Sequence, residues 1–325
     1  MEDKKTVITI NIPSSDHLDF ALKFYQSKPH CVWLDWGDGS QKDSFSEEGL
    51  IETSHTYPSE GEYEISMFAV DDGYIELVMV GGEYGYHSMI TSLVVGDDVT
   101  AIKYNTFSNC ENLETLEFLG DYIELGEYAF TGCVSLTDVA LPKDISIIPD
   151  GLFFGCSGLK SVQLPENLGV ISTNAFYGCS RLKEINLSNV TIIGNYAFQG
   201  CRKLTSLEFT DTLNEIGDGA FDSCSSIRTL ALGKVTKIGH TAFCNCRSLS
   251  RVTVPETIRS IGESAFENCS FLKTIKMEAS KPPILEGAHA FAGIEDFIIE
   301  VPRGSKRDYA YATNWSAYFD NIKEG

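Results

Sequence analysis

The chain has 325 residues, of which 43% are hydrophobic, and its formal net charge is −21. Its length allows a substantial core and suggests about two domains. The acidic balance argues against nucleic-acid binding, which needs a basic face that displaces counterions, and no apolar run reaches the roughly 18 residues of a membrane-spanning helix.

The amino-terminal segment Met1-Glu-Asp-Lys-Lys leads directly into an alternating run, Thr6–Ile12. No apolar stretch with a small-residue cleavage site precedes that run, so a signal peptide is not recognisable. Either the protein is not secreted, or its leader is not part of the printed sequence.

Residues 1–84 do not repeat, and they predict a small β-sandwich. Alternating apolar runs are separated by clusters of Gly, Asp and Ser, and these runs cover 6–12, 31–36, 63–70 and 75–80. Residues 23–26 are not assigned to an element, and 44–54 are interpreted as an insert.

The stretch Trp36-Gly37-Asp38-Gly39 is a turn signal between two strands, and His55-Thr56-Tyr57 follows it. We expect the histidine segment to fix the next strand through hydrogen bonds. These motifs resemble the PKD-type immunoglobulin-like module of surface proteins. On that resemblance Asp38 and His55 are structural, and no Ser or Cys nucleophile motif accompanies them as a catalytic pair would require.

Four aspartates of the same region raise the question of a metal. Carboxylates together with carbonyl oxygens can hold calcium, whereas aspartates in solvated turns need no ion. We favour the turns and predict no metal site, although the sequence leaves calcium open for Asp35, Asp38, Asp71 and Asp72.

A block ending in Phe-x-x-Cys recurs through the last two thirds of the chain. Successive cysteines lie 22 or 23 residues apart, and a ninth copy around Phe291 carries Ile294 in place of the cysteine. A period of this length predicts a solenoid, because one unit cannot bury its own apolar face and has to stack on neighbours. The eight cysteines are Cys110, Cys133, Cys156, Cys179, Cys201, Cys224, Cys246 and Cys269.

Each repeat has two further phases. A Leu-x-x-Leu-x-Leu pattern begins three residues after the cysteine and predicts strands that stack into a parallel sheet. The return leg contains an Ile-Gly pair, as at Ile238-Gly239, and we expect a tight corner with positive φ there. Residues 90–102 are predicted to form a half-coil that starts the stack, 297–302 a last strand, and 305–322 a helical cap.

The cysteines could form disulfides, bind zinc or remain free. Side chains in a ladder point the same way, which is poor geometry for disulfides, and the close pair Cys244 and Cys246 lacks the partners of a zinc site. We therefore predict buried free thiols packed beside the phenylalanines, with no metal and no cofactor.

The combined pattern resembles the BspA-type leucine-rich repeat family, whose units read Leu-x-x-Ile-x-Leu-Pro and then Ile-Gly-x-x-Ala-Phe-x-x-Cys. The resemblance covers about residues 88–325, including the closing segment that begins at Val301-Pro302. It implies a mainly β fold, in which a PKD-like β-sandwich over 1–84 precedes a leucine-rich-repeat solenoid over 85–325. The solenoid consists of parallel β coils with short helical or irregular return legs, and its helical cap begins at about 303.

The family resemblance also implies a function. Such proteins are bacterial surface or secreted adhesins that bind host extracellular matrix proteins or other bacteria, and a cytoplasmic location is the alternative. The sequence contains no G-x-S-x-G, H-E-x-x-H, Walker or Rossmann motif. We therefore expect a non-enzymatic recognition protein.

The exposed strand positions are the candidate binding site, on the expected concave face of the solenoid. Solvated strand residues are the plainer interpretation of the basic side chains there. The functional interpretation is a face that attracts an acidic protein. Aromatic residues at these positions would favour a glycan ligand, the alternative, but none occurs. The predicted ligand-binding residues are Lys160, Lys183, Arg228, Arg251, Lys273 and Lys276.

Overall fold

A computed structural model describes residues 5–14, 18–80, 86–205, 207 and 209–325. The predicted domain boundary between residues 84 and 85 and the first four residues lie outside this set. The chain divides into two compact units, each of which is described by itself. Unit 1 comprises Met1–Ile145 and Gly151–Asn167, and unit 2 comprises Ser146–Asp150 and Leu168–Gly325.

Seven strands form the front region of unit 1. They are β1 (Thr6–Ile12), β2 (Asp19–Gln26), β3 (Val32–Asp35), β4 (Asp43–Ser44), β5 (Gly49–Thr56), β6 (Gly61–Ala69) and β7 (Ile75–Val80). The four predicted runs coincide with β1, β3, β6 and β7. Strands β2 and β5 correct the sequence interpretation, which left 23–26 unassigned and treated 44–54 as an insert.

The repeats follow, with a 3-10 helix at Tyr86–Met89 before them. Their strands are β8 (Ile90–Val95), β9 (Val99–Ile102), β10 (Thr115–Phe118), β11 (Glu124–Leu125), β12 (Asp138–Ala140), β13 (Ile147–Ile148), β14 (Ser161–Gln163), β15 (Val170–Ile171), β16 (Ile192–Ile193), β17 (Glu215–Ile216), β18 (Thr229–Ala231), β19 (Lys237–Ile238), β20 (Arg251–Val254), β21 (Ser260–Ile261), β22 (Thr274–Met277), β23 (Ile284–Leu285), β24 (Ile298–Val301) and β25 (Ile322–Glu324).

Two sheets of unit 1 run from the front region into the repeats. One has the strand order β14-β12-β10-β8-β1-β6-β3-β4, and the other has the order β11-β9-β7-β2-β5. Strand β8 is antiparallel to β1 and parallel to β10, while β9 is parallel to both β7 and β11. The predicted half-coil over 90–102 is therefore confirmed, and its strands pair with the front region on one side and with the first full coil on the other.

Unit 2 is built from parallel ladders, which confirms a solenoid. Strands β13, β15, β16, β17, β19, β21 and β23 form a seven-stranded sheet on the return legs, and β18, β20, β22, β24 and β25 form a five-stranded sheet. Buried and exposed residues alternate along the second sheet: Ile275 and Met277 of β22 are buried and Lys276 between them is exposed. One face of each strand therefore packs inward and the other meets solvent.

The interior of each unit contains stacked phenylalanines. In unit 1 the rings of Phe107 and Phe130 lie 5.4 Å apart and nearly parallel. In unit 2 the centroid distances from Phe176 through Phe198, Phe221 and Phe243 to Phe266 are between 5.2 and 5.4 Å. Identical rings one coil apart thus pack face to face at every step of these stretches.

The repeat cysteines form the predicted ladder of buried free thiols. Most of them also donate a hydrogen bond across the coils: the thiol of Cys201 donates to the carbonyl of Phe176 at 3.3 Å, and that of Cys224 to the carbonyl of Phe198 at 3.1 Å. The cysteine therefore fills the interior and satisfies a backbone acceptor of the preceding coil.

The corner glycines correct another expectation. Their φ angles are not positive; left-handed residues instead occupy the positions two before and two after the phenylalanine, as at Tyr196 and Gly200. A Cβ on Gly262 would lie 2.4 Å from the backbone carbon of Gly239, and one on Gly239 would lie 2.5 Å from that of Gly217. At these glycines the backbones of successive coils approach each other closely, which favours glycine, although Pro149 and Ser172 occupy the same corner in two other coils.

The carboxyl-terminal cap is only partly helical. The helix α1 (Lys306–Tyr311) and a 3-10 helix at Trp315–Asn321 agree with the prediction, but Ile322 begins β25, which pairs parallel with β24. Trp315 and Tyr318 are buried, and their rings lie 6.1 and 5.1 Å from that of Phe291. The cap thus covers the last ring of the stack with aromatic side chains.

Candidate ligand-binding face

The candidate binding residues of each unit are the exposed side chains among the eight residues that follow each ladder cysteine, and we call them the strand face of that unit. Each of these segments contains a turn and then the strand of its coil. Unit 1 contributes 111–118, 134–141 and 157–164, and unit 2 contributes 180–187, 202–209, 225–232, 247–254 and 270–277. Ser206 and Glu208 of the second set lie outside the described residues.

All six basic residues predicted from the sequence are exposed. Lys160 belongs to unit 1, where it precedes β14, and the other five belong to unit 2. Lys183 lies directly before Glu184, which forms an isolated bridge in place of a strand. The prediction that these side chains face solvent is thus correct, but ligand binding by them stays a prediction.

The strand register shows which of these residues are neighbours. Arg251 pairs with Thr229 on one side and Thr274 on the other, so Arg228 and Lys273 each lie one residue diagonally from it. Because adjacent strands are about 4.8 Å apart, the three exposed cationic residues lie within a small area. They form a triangle, with Arg251 at the start of β20 and Arg228 and Lys273 directly before β18 and β22, and the three do not share one column.

The predicted basic residues differ in whether they already have a polar partner. The Lys276 ammonium lies 3.5 Å from Glu278 Oε1, and Lys273 Nζ donates to the carbonyl of Glu295 at 3.0 Å. Within the described part of the chain, Lys183, Arg228 and Arg251 have no carboxylate within 4.0 Å. An exposed cation without a partner is available to a ligand at little cost, since no existing ion pair has to be broken.

Charge on the strand face differs between the units. The five segments of unit 2 contain nine basic and two acidic residues, whereas the three segments of unit 1 contain four acidic residues and one basic residue. The sequence interpretation missed the turn positions, although the repeat phase could have revealed them. The additional basic residues are Arg181, Arg202, Lys203 and Arg247, and the acidic residues of unit 1 are Glu111, Glu114, Glu117 and Asp138.

The front region contains the Asp38 and His55 pair. His55 Nε2 lies 2.7 Å from Asp38 Oδ2, and the imidazole stacks on Trp36 with a centroid distance of 5.1 Å. Hydrogen bonds from Ser40 and His55 lower the pKa of Asp38 to about 2. The phenol of Tyr57 donates to the carbonyl of Trp36 at 3.1 Å. These bonds tie the turn to the following strand, as expected.

The aspartates considered for calcium are not gathered around an ion site. Asp35 Oδ1 accepts a hydrogen bond from the Gly37 amide, and its Oδ2 lies 3.2 Å from Lys42 Nζ. Among the described residues, no group of three or more His, Cys, Asp or Glu side chains is placed to hold a metal. The same observation leaves Cys244 and Cys246 without further zinc ligands.

Within the described part of the chain, no helix is long and apolar enough to cross a membrane.

Comparison with known proteins identifies the repeats. The family model for the BspA type leucine rich repeat region matches in six copies over residues 82–204 and 170–298. No curated protein matches the chain significantly.

Solved structures are also similar to the chain. A leucine-rich repeat protein from Bacteroides ovatus is 26% identical with a TM-score of 0.53, and the match covers 72% of this chain and 65% of that protein. A leucine rich cell surface protein from Faecalibacterium prausnitzii is 23% identical with a TM-score of 0.42, and the match covers 80% of this chain and 84% of that protein. The chain thus spans slightly less than two thirds of the Bacteroides protein.

Proposed function

The chain belongs to the BspA-type leucine-rich repeat family, and from that premise we propose that it is a non-enzymatic recognition protein. Its ligand is an acidic protein, either from the host extracellular matrix or from a bacterial surface, and it binds to the strand face of unit 2. The observation that carries the proposal is the triangle of Arg228, Arg251 and Lys273 on three successive coils.

The physical support is electrostatic. The whole chain carries a net charge of −21, so an acidic ligand is repelled by most of its surface and attracted to few places. Complementary charge raises the association rate and selects the docking face. Threonine side chains next to the cations, such as Thr229 and Thr274, add hydroxyl donors for carboxylates.

We place the protein at the cell surface or outside the cell, as the family resemblance implies, with a cytoplasmic location as the alternative. We also propose that residues 1–84 are a PKD-like immunoglobulin-like module that covers the first coil. Two contacts support this role: β7 pairs with β9, and the hydroxyl of Thr106 donates to the carbonyl of Leu77 at 3.1 Å.

The experiment is an array of immobilised matrix proteins and polysaccharides, probed with the full chain at about 0.1 and about 0.5 M salt. We use the full chain because β1 and β7 pair with the first half-coil, so removing the front region exposes unpaired strand edges. We expect binding to protein ligands that weakens at the higher salt concentration.

A matched pair of variants locates the site. The triple variant Lys183→Glu, Arg228→Glu, Lys273→Glu removes cations from the strand face, and we expect it to lose binding. The control variant Lys237→Glu, Arg259→Glu, Lys281→Glu makes the same change of net charge at exposed positions of unit 2 outside that face, and we expect it to bind normally. Equal binding by both variants would reject the strand face as the site.

Glycan binding is the second candidate, and one observation favours it. Trp33 is 38% exposed on β3 and pairs across the strands with the half-buried Phe68, and exposed aromatic faces stack on sugar rings. Binding to polysaccharides alone that is lost in Trp33→Ala but retained in the strand-face triple variant would assign the function to the front region.

A further inference from the structure

The strand face carries opposite charges at the same repeat positions in the two units. In the first coil of unit 1, Glu111, Glu114 and Glu117 occupy the first, fourth and seventh positions after the cysteine. In unit 2 the same positions are basic in several coils. The first position holds Arg202 and Arg247, the fourth Lys183, Arg228 and Lys273, and the seventh Lys276.

Both charged surfaces are accessible. Glu111, Glu114 and Glu117 are exposed, and within the described part of the chain no Lys, Arg or His nitrogen lies within 4.0 Å of their carboxylates. Nearby, the front strand β6 adds the exposed Glu62 and Glu64 to unit 1. The acidic strands of unit 1 therefore have the chemistry that the basic strands of unit 2 require of a ligand.

We propose that the acidic strand face of unit 1 in one copy binds the basic strand face of unit 2 in another, so that the chain associates with itself. The inference rests on the proposed function, because it names a second copy as an acidic protein ligand of the same site. Charge complementarity is the reason for choosing this occupant, and repeat geometry adds to it. Strands of both faces are spaced by the same interval of about 4.8 Å, so two such faces can lie strand against strand.

The high net charge does not prevent this contact. At physiological salt the Debye length is about 8 Å, so charges farther than that from the contact are largely screened. Exposed ion pairs are individually weak, and few large apolar side chains are exposed on the strand face. The association is therefore weak and salt-sensitive, and it becomes effective where many copies are held close together.

A charge-swap experiment tests the inference by sedimentation velocity over a range of protein concentrations. The acid-reversed variant carries Glu111→Lys, Glu114→Lys and Glu117→Lys, and the base-reversed variant carries Arg228→Glu, Arg251→Glu and Lys273→Glu. We expect the wild type to associate with increasing concentration at about 0.15 M salt, and at least about tenfold more weakly at about 0.5 M. Each variant alone stays monomeric, because the acid-reversed variant has two basic strand faces and the base-reversed variant has lost most of the positive charge that attracts the acidic face of unit 1.

The decisive sample is an equimolar mixture of the two variants. The acid-reversed variant keeps the basic face of unit 2 and the base-reversed variant keeps the acidic face of unit 1, so we expect association to return in the mixture alone. The control Lys237→Glu, Arg259→Glu, Lys281→Glu should associate like the wild type. A monomeric wild type at both salt concentrations, or a mixture that stays monomeric, would overturn the inference.

The sedimentation experiment and the binding array can fail independently of each other. Array binding that needs the strand face, by a chain that stays monomeric, rejects self-association and keeps the proposed function. Self-association without any strand-face-dependent binding on the array keeps the inference and rejects an external ligand.

Discussion

The buried residues of the coils hardly vary from one repeat to the next, whereas the exposed residues of the same coils vary strongly. On the return legs, phenylalanine and cysteine recur with little variation, and their side chains are almost fully buried. On the strand face the charge changes from coil to coil and reverses between the two units. The interior repeats because each coil is the packing surface of the next. The outer positions are free of that constraint and can serve recognition.

The largest expected effect is loss of a ladder ring. Phe198 lies between Phe176 and Phe221, at 5.2 Å from each, so Phe198→Ala opens a cavity against both neighbours. We expect the free energy of unfolding to fall by about 3–5 kcal/mol, measured by urea denaturation.

The control is an aromatic residue of the same unit on the outside. Phe271 is 67% exposed, and Phe271→Ala should change the free energy of unfolding by less than about 0.5 kcal/mol. Similar losses of unfolding free energy in the two variants would contradict the difference between the interior and the strand face.

The corner glycines come next. A Cβ at Gly262 would lie 2.4 Å from the backbone of the preceding coil, whereas one at Gly169 would find no atom closer than 3.8 Å. We expect Gly262→Ala to destabilise the protein by about 1–3 kcal/mol through overpacking. Gly169→Ala should be neutral or stabilising by up to about 1 kcal/mol, because alanine restricts the unfolded chain. If calorimetric melting temperatures fell equally, close approach of the coils would not explain the glycine.

Alkaline pH should lower the free energy of unfolding through the buried thiols. Burial raises the pKa of Cys201, Cys224 and Cys246 well above 9.0. Their contribution to stability is therefore complete below pH 9.0, where the unfolded thiols are still protonated, and it is lost as the pH rises above that value. Each thiol adds about 1.4 kcal/mol per pH unit to the fall in unfolding free energy once the unfolded form is ionised.

Cys201→Ala removes one such thiol and so measures its contribution. It lowers stability at neutral pH, but its unfolding free energy should fall less steeply between about pH 9 and 11 than that of the wild type. Parallel pH profiles of the two proteins would show that the thiol is not kept neutral by burial.

The smallest effect on stability is expected on the strand face. Arg228→Glu and Arg251→Glu change exposed side chains that have no ion-pair partner within the described part of the chain, so each should shift the free energy of unfolding by less than about 0.5 kcal/mol. Their effect should appear in ligand binding instead. A variant that lost several kcal/mol would show that these side chains have a structural role.

The repeats were readable from the sequence because every coil restates the same pattern in phase. The front region was readable only in part, and the two strands that were missed show why. Strand β2 places the fully buried Gln26 at an apolar phase, where its side-chain oxygen accepts a hydrogen bond from the Val32 amide at 3.3 Å. Strand β5 buries only Ile51, so it has no hydrophobic alternation. A strand with one inward side chain leaves no periodic signal, and in β2 the alternation of Phe20, Leu22 and Phe24 is interrupted by a polar residue at the next inward position.

By itself the sequence determined the solenoid, the inward phenylalanines and cysteines and the outward basic residues, since a period of 22 or 23 residues forces equivalent positions into equivalent environments. Only the tertiary structure decided which contacts and hydrogen bonds form between coils and between strands. It showed that the corner glycines admit a neighbouring backbone, that thiols donate to carbonyls of the preceding coil, and that Arg228, Arg251 and Lys273 are diagonal neighbours. These features depend on distances between residues far apart in the chain, which no local pattern encodes.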